Sequence, residues 1–247
     1  MPQNPLQNLL DWLYPPTCIA CRQIIALHDT QPRSMLLCAR CQTLFSPVTT
    51  PLCHTCGVPT EKPVDRCVTC FGKERYFTTN RAAFLYDDLM RDMMHELKFR
   101  QDKQIAHSLG KLWATQAGNL AAGENTCFVP LPMHAKKQRE RGFNQAEVLT
   151  RQLSDGLGIP MEHALVRTVD TPPQSGLHPR QRVENVHGAF DIAQNIAVAG
   201  KVCIIVDDIY TTGASMNECA RVLREAGAVD VFGMTLSIVE KGDDDNK

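Results

Sequence analysis

Net charge is the first thing this chain lacks. Its 26 lysines and arginines face 27 acids, a formal charge of −1 at neutral pH. That removes any global electrostatic case for nucleic acid and leaves only local ones. A long apolar run is missing too, since no stretch approaches the roughly 20 residues that a membrane helix needs. The opening, MPQNPLQNLLDWLYPP, has no basic leader and only a short apolar run broken by prolines. This argues against a secretion signal and predicts a cytoplasmic protein. Aromatic residues make up 6% of the chain, so ring faces for stacking bases are few. Phe143, beside a basic stretch, and Phe71, Tyr76 and Phe77 are the ones placed to matter; core or interdomain packing is their expected use.

Cysteine, by contrast, is abundant and regular. Eight of the 11 cysteines form four C-x-x-C pairs: Cys18/Cys21, Cys38/Cys41, Cys53/Cys56 and Cys67/Cys70. A two-residue gap lets both thiolates of one turn reach one tetrahedral ion, and two such knuckles close a four-thiolate zinc site. Four pairs therefore imply two Zn²⁺ ions. Disulfides are the competing explanation, but a reduced compartment and regular pairing favour metal; a redox motif would need only one pair. Sequential ribbons would join Cys18, Cys21, Cys38 and Cys41 in one site and Cys53, Cys56, Cys67 and Cys70 in the other. A cross-braced arrangement would interleave them. The short span from Cys56-Gly57 to Cys67 favours the sequential form. Closed four-thiolate sites leave no position for water, so both zincs are expected to be structural. His28 and His54 are spare ligands at most and are expected in solvated loops.

The stretch richest in chemistry is Val202–Ser215, VCIIVDDIYTTGAS. Val202, Ile204, Ile205 and Val206 read as a buried parallel strand, expected to end at Asp207 and Asp208. Thr211, Thr212 and Gly213 form a small polar turn. Met216, Cys219, Ala220 and Leu223 then recur at helical spacing, and Gly227 is placed to stop the helix. In an open α/β sheet such an edge is where ligands bind. Unpaired amides at a helix start favour a phosphate. Thr211, Thr212 and Ser215 add hydroxyls, and Gly213 permits close approach. Two carboxylates beside an anion make sense if they accept hydrogen bonds from sugar hydroxyls at the other end of one ligand. A ribose 5-phosphate fits both halves. The alternative, a buried strand with an acid-capped helix, needs one carboxylate at most.

From about Arg81 the cysteine pairs stop and strand–helix alternation begins. Strands are expected at Arg81–Tyr86, Thr126–Val129, Leu165–Arg167, Ala189–Ile192, Val202–Val206 and Val229–Ile238. Helices are expected at Leu89–Phe99, Ile105–Leu120 and Asn144–Leu157. The length allows two domains. The fold class is α/β: a mainly parallel sheet flanked by helices, preceded by a small Cys-rich zinc-ribbon domain. The boundaries are drawn at residues 1–76, 77–241 and a disordered tail, 242–247. Pro130, Leu131 and Pro132 end a strand on the ligand edge. Behind them lies the basic loop HAKKQRERGFNQ, in which Lys136, Lys137, Arg139 and Arg141 outnumber Glu140. Arginine forks suit phosphate oxygens, although most such runs are solvated loops. Asp170–His187 is a long turn-rich segment with the length of a lid, and a tolerated surface insertion would look the same. His95 on its helix reads as a packed histidine, and Lys98 and Arg100 are not assigned from pattern.

Ile204–Ser215 resembles the phosphoribosyl-pyrophosphate (PRPP) motif of type I phosphoribosyltransferases: three apolar residues, two acids, an apolar residue and a Thr-Thr-Gly turn. The resemblance implies that Asp207 and Asp208 hold the ribose hydroxyls and act as the catalytic pair. It implies that Thr211, Thr212, Gly213, Ala214 and Ser215 wrap the 5-phosphate, with Ser215 where relatives often have threonine. Nearly the whole chain is similar to the ComF-like competence branch of that superfamily. The likeness runs through the cysteine knuckles, Leu97-Lys98-Phe99, Val129–Pro132, Arg141–Gln145 and a Gln174-Ser175, Leu177, Arg182, Asn185, Gly188–Phe190 pattern, with Asp102 matching an acid of many relatives. Pro130, Leu131, Pro132, Arg139, Arg141, Gln174 and Arg182 become candidates for the pyrophosphate and the lid. Lys136, Lys137, Arg139 and Arg141 become candidates for single-stranded DNA. The resemblance also implies PRPP with Mg²⁺ as ligand, a role in DNA uptake, a helicase-like partner and a homodimer. A nucleobase salvage enzyme and a non-catalytic PRPP-sensing or DNA-binding module are the alternatives. Nothing but a polar tail follows the last strand, so any hood over the acceptor is expected from the ribbon side.

Overall fold

A computed structural model describes residues 14–25, 35–99, 102–118, 120, 122–171, 181 and 184–240. Four parallel strands form the main sheet: β1 (Asn80–Leu85), β2 (Thr126–Pro130), β5 (Val202–Tyr210) and β6 (Asp230–Ile238), in the order β1-β6-β5-β2. β5 is central and its residues 203–206 are buried, as an apolar run covered on both faces should be. Its pairing with β6 continues through Asp207↔Thr235 to Tyr210↔Ile238. The strand thus runs past the two acids instead of stopping before them, because β6 is long enough to pair with all of it. β3 (Leu165–Arg167) and β4 (Phe190–Ile192) leave the main sheet and form a separate antiparallel pair. The sequence pattern reads them among the alternating strands; their pairing with each other depends on a partner that no local apolar run identifies.

Both edges of the sheet are covered. On the β1 side, Val48 N–H donates to Ala83 O and Leu85 N–H to Ser46 O, so the link between the cysteine regions lies antiparallel along the edge. On the β2 side, Phe128 exchanges backbone bonds with Pro160 and Glu162. Covered edges offer no free ladder to another chain.

After a short α1 (Ala39–Gln42), the helices are α2 (Asp88–Phe99), α3 (Lys103–Ala117), α4 (Ala135–Arg141), α5 (Gln145–Leu157) and α6 (Ala214–Glu225). Asp102 caps α3 by accepting from Gln104 N–H at 2.8 Å. Asn144 caps α5, and Gly158 ends it in the left-handed conformation. α2, α3 and α5 cover one face of the sheet with Met90, Met94, Leu97, Leu109, Trp113, Leu149 and Leu153. α6 and the β3–β4 pair cover the other with Cys219, Leu223, Leu165 and Phe190. No helix among the described residues is long and apolar enough to cross a membrane. The tail 242–247 and His28 lie outside the described residues.

Candidate functional site

The eight paired cysteines gather into two clusters, Cys18/Cys21/Cys38/Cys41 and Cys53/Cys56/Cys67/Cys70, with all four ligand atoms of each within 4.8 Å. This is the sequential pairing. Four thiolates about 2.3 Å from one tetrahedral ion stand about 3.8 Å apart; Cys21–Cys38 and Cys56–Cys67 are separated by 3.9 and 3.7 Å. Backbone amides already face the sulfurs, Cys38 N–H to Cys18 at 3.4 Å and Cys67 N–H to Cys53 at 3.3 Å. Burial opposes ionisation of Cys18, yet the amides of Cys21, Cys38 and Ala20 bring it down to about 7. A hydrogen bond from Cys56 brings Cys70 down to about 5. Donor type, spacing and amide support all fit Zn²⁺. Four sulfurs complete each set without His54, which is exposed.

The clusters sit on opposite faces of the sheet. Cys18 and Cys41 join the core beneath α2 and α3, tied there by Leu36 N–H to Ser108 Oγ at 2.9 Å and an Arg22–Glu96 ion pair at 2.7 Å. Cys53, Cys56 and Cys70 join the core beneath α6. Asn80 Nδ2 donates to Cys56 O at 3.0 Å, fastening the second ribbon to the start of β1.

At the carboxyl end of β5, the two acids meet different surroundings. Burial, then the neighbouring Asp208 carboxylate, pushes Asp207 well above the usual carboxylate range, although Asp208 N–H donates to it at 2.9 Å. Asp208 lies 4.0 Å from the Lys98 ammonium on α2. Pattern alone could not place Lys98 here, because α2 touches this edge only through the fold. Arg100 lies outside the described residues, and His95 is exposed instead of packed.

Beyond Tyr210 the chain turns into α6. Gly213 is left-handed, with φ +72°, and a Cβ there would run into the Tyr210 hydroxyl and ring. Only glycine serves both needs. Thr212 is buried and its Oγ accepts from Ala214 N–H at 3.4 Å, while Thr211 is exposed. Asp207, Thr211, Gly213, Ala214, Ser215 and Thr235 help to line a recess of about 40 Å³. The structure thus brings together one carboxylate, the turn hydroxyls and the start of a twelve-residue helix.

The basic stretch is a helix, not a loop. α4 spans Ala135–Arg141 and stops at the left-handed Gly142, which the sequence shows only as a glycine after charged residues. Its charges do not share one face. Lys137 Nζ donates to Thr171 O at 2.8 Å, Lys136 lies 3.3 Å from Asp170, and Arg139 is exposed. Arg141 reaches Gln145 at 3.4 Å. Burial and the nearby Arg167 lower the Lys137 pKa. Arg167, unremarkable in a three-residue strand, stacks on Phe190 at 5.4 Å, bonds Thr171 and feels the charges of Asp170 and Asp207. Pro130 ends β2, and Leu131 N–H continues the pairing to Val206 O at 2.9 Å. Gln174 and Arg182 lie outside the described residues. Phe143 and Phe77 are buried, while Phe71, expected to pack, is 79% exposed.

Comparison with known proteins follows the same division. Residues 9–71 match the double zinc ribbon domain and residues 141–239 the phosphoribosyl transferase domain. The "DNA utilization protein YhgH" of Escherichia coli (strain K12) is 30% identical over 88% of this chain and 94% of its own length. The "Competence protein ComFC" of Bacillus subtilis (strain 168) is 29% identical over 81% of this chain and 83% of its own. A solved glutamine PRPP amidotransferase from B. subtilis aligns with TM-score 0.33 and 23% identity over 52% of this chain and 25% of that one.

Proposed function

The chain belongs to the ComF-like family, in which a double zinc ribbon precedes a phosphoribosyltransferase domain, and from that membership we propose that Asp207–Ser215 binds PRPP in the service of DNA handling. The observation that carries the reading is the turn itself. The half-buried Asp207 carboxylate ends one side of the recess, and the Gly213-capped start of α6, with the Thr211 and Ser215 hydroxyls, ends the other. The helix start takes the 5-phosphate, and Asp207 and Asp208 accept from the ribose hydroxyls. Mg²⁺, which takes most of its ligands from phosphate oxygens and water, would enter with PRPP and offset the pyrophosphate charge, and Asp207 and Asp208 are the carboxylates that would face it.

The relatives' names, a competence protein and a DNA utilization protein, support a place in the uptake or use of DNA, with single-stranded DNA as the partner of the α4 cations. Ligand binding does not by itself require turnover. The family contains a transferase domain, so release of pyrophosphate with a panel of acceptors is the assay that separates an enzyme from a sensor. Thermal melting tests the site. PRPP with Mg²⁺ at a hundred times its dissociation constant should add about 2.7 kcal/mol; at that same concentration ribose 5-phosphate should add less, and pyrophosphate alone least. Pyrophosphate acting as well as PRPP would overturn the assignment of the phosphate turn.

A further inference from the structure

The segment that leaves the second ribbon does not run straight into β1. Residues Glu74–Thr78 run along α6 and the turn before it, and hydrogen bonds from both ends of that helix hold them there. Arg75 Nη2 donates to Thr212 O at 3.1 Å. Tyr76 N–H donates to Asn217 Oδ1 at 2.8 Å, and Asn217 Nδ2 returns a bond to Glu74 O at 3.3 Å. Arg224 Nε donates to Tyr76 O at 3.2 Å. The Arg75 guanidinium stacks over Phe77 at 5.5 Å. Phe77, 2% exposed, stands edge-on to Tyr210 with ring centres 6.4 Å apart. Tyr210 in turn lies directly under Gly213. A continuous wall thus runs from the second cysteine cluster through Arg75, Phe77 and Tyr210 to the turn proposed above to bind phosphate.

We propose that Arg75 is a positioning residue for the phosphate turn, through which the second zinc ribbon sets the shape of the Thr211–Ser215 backbone. The proposal builds on the PRPP reading, but its physical content is independent of it. The Thr212 carbonyl is the acceptor of a charge-assisted bond, and that peptide's orientation decides where the next amides point. Gly213 is left-handed and free of side-chain restraint, so without a clamp on its neighbour the turn would sample other conformations. The strap is held at both ends. The knuckle bond from Gly57 N–H to Cys53 O at 2.9 Å fixes the ribbon behind it, and Thr78 N–H pairs with Val231 O at 2.8 Å ahead. Arg75 therefore comes from a frame that the metal site and the sheet both hold. The Tyr210 hydroxyl and Arg75 Nε are buried without a hydrogen-bond partner among the described residues. The Tyr210 contact is therefore one of packing, and Arg75 Nη2 supplies this wall's polar hold on Thr212 O, which makes Arg75 the residue to test.

The test uses the full zinc-loaded chain with Arg75→Met and Arg75→Lys, measured by amide hydrogen exchange and by titration with ribose 5-phosphate. In the ligand-free protein, Arg75→Met should raise exchange of the Gly213–Glu218 amides about tenfold with zinc content unchanged. Arg75→Lys, which keeps a donor, should restore most of the protection. Ribose 5-phosphate should bind about tenfold more weakly to Arg75→Met and near normally to Arg75→Lys. Unchanged exchange in a folded Arg75→Met with two zincs would overturn the proposal, as would loss of zinc, which would put the role of Arg75 in the ribbon itself. Faster exchange together with no ribose 5-phosphate binding by the wild type would uphold the positioning role and reject the PRPP reading, so the two failures are distinct.

Discussion

Asp207 carries its raised pKa because burial and the Asp208 carboxylate both disfavour its charge. The sign of the stability effect follows. Unfolded, an aspartate ionises near 3.9, whereas folded Asp207 does so only at higher pH. Between those values the folded chain holds a proton that the unfolded chain has released, so stability falls as pH rises through that window. Asp207→Asn removes the cost. It should raise the melting temperature of the ligand-free protein at pH 7 by about 2–4 °C, the effect of roughly 1 kcal/mol at this size. The gain should shrink toward pH 4. A variant no more stable than wild type at pH 7 would mean that Lys98, 4.0 Å from Asp208, already offsets the charge. The acids, hydroxyls and glycine of this turn were legible in the sequence because strand, turn and helix follow one another along the chain. Lys98, Arg75 and Arg167 were not, because each reaches the site from a distant element and leaves no local pattern.

Among the elements, α4 shows what spacing alone misses. Its four cations look like one patch in HAKKQRERGFNQ, but a helix turns successive residues to different sides. Lys137 is spent on Thr171 O and Lys136 on Asp170, leaving Arg139 and Arg141 as the better candidates for an added phosphate backbone. If the helix contacts single-stranded DNA, each lost contact should reduce the salt slope by about 0.7. Arg139→Gln with Arg141→Gln should therefore take away more than one unit, and Lys137→Gln almost nothing. A slope unchanged by the arginine pair would remove α4 from the DNA account. The strands divide similarly. β1, β2, β5 and β6 were readable from apolar runs, and only the end of β5 was misplaced, because Asp207 and Asp208 interrupt hydrophobicity without interrupting its pairing with β6. That β3 and β4 pair with each other depends on a partner that no local run identifies.

Over the whole molecule, the two ribbons grip the sheet from opposite faces, with the link between them laid along the β1 edge. Cysteine spacing announces two four-thiolate clusters, and regular alternation announces a parallel sheet. Which cluster serves which face depends on tertiary packing that spacing does not encode. The arrangement makes the ribbons part of the core of the phosphoribosyltransferase-like unit, and the second one reaches the proposed phosphate turn through Arg75. The central claim is that this turn and the acids of β5 bind PRPP. The most direct measurement is calorimetric titration of the zinc-loaded protein with PRPP and Mg²⁺, beside the Asp207→Asn/Asp208→Asn variant. The account predicts saturable one-site binding by the wild type and its loss in a variant that remains folded with both zincs. No binding by the wild type, or equal binding by the variant, would contradict it.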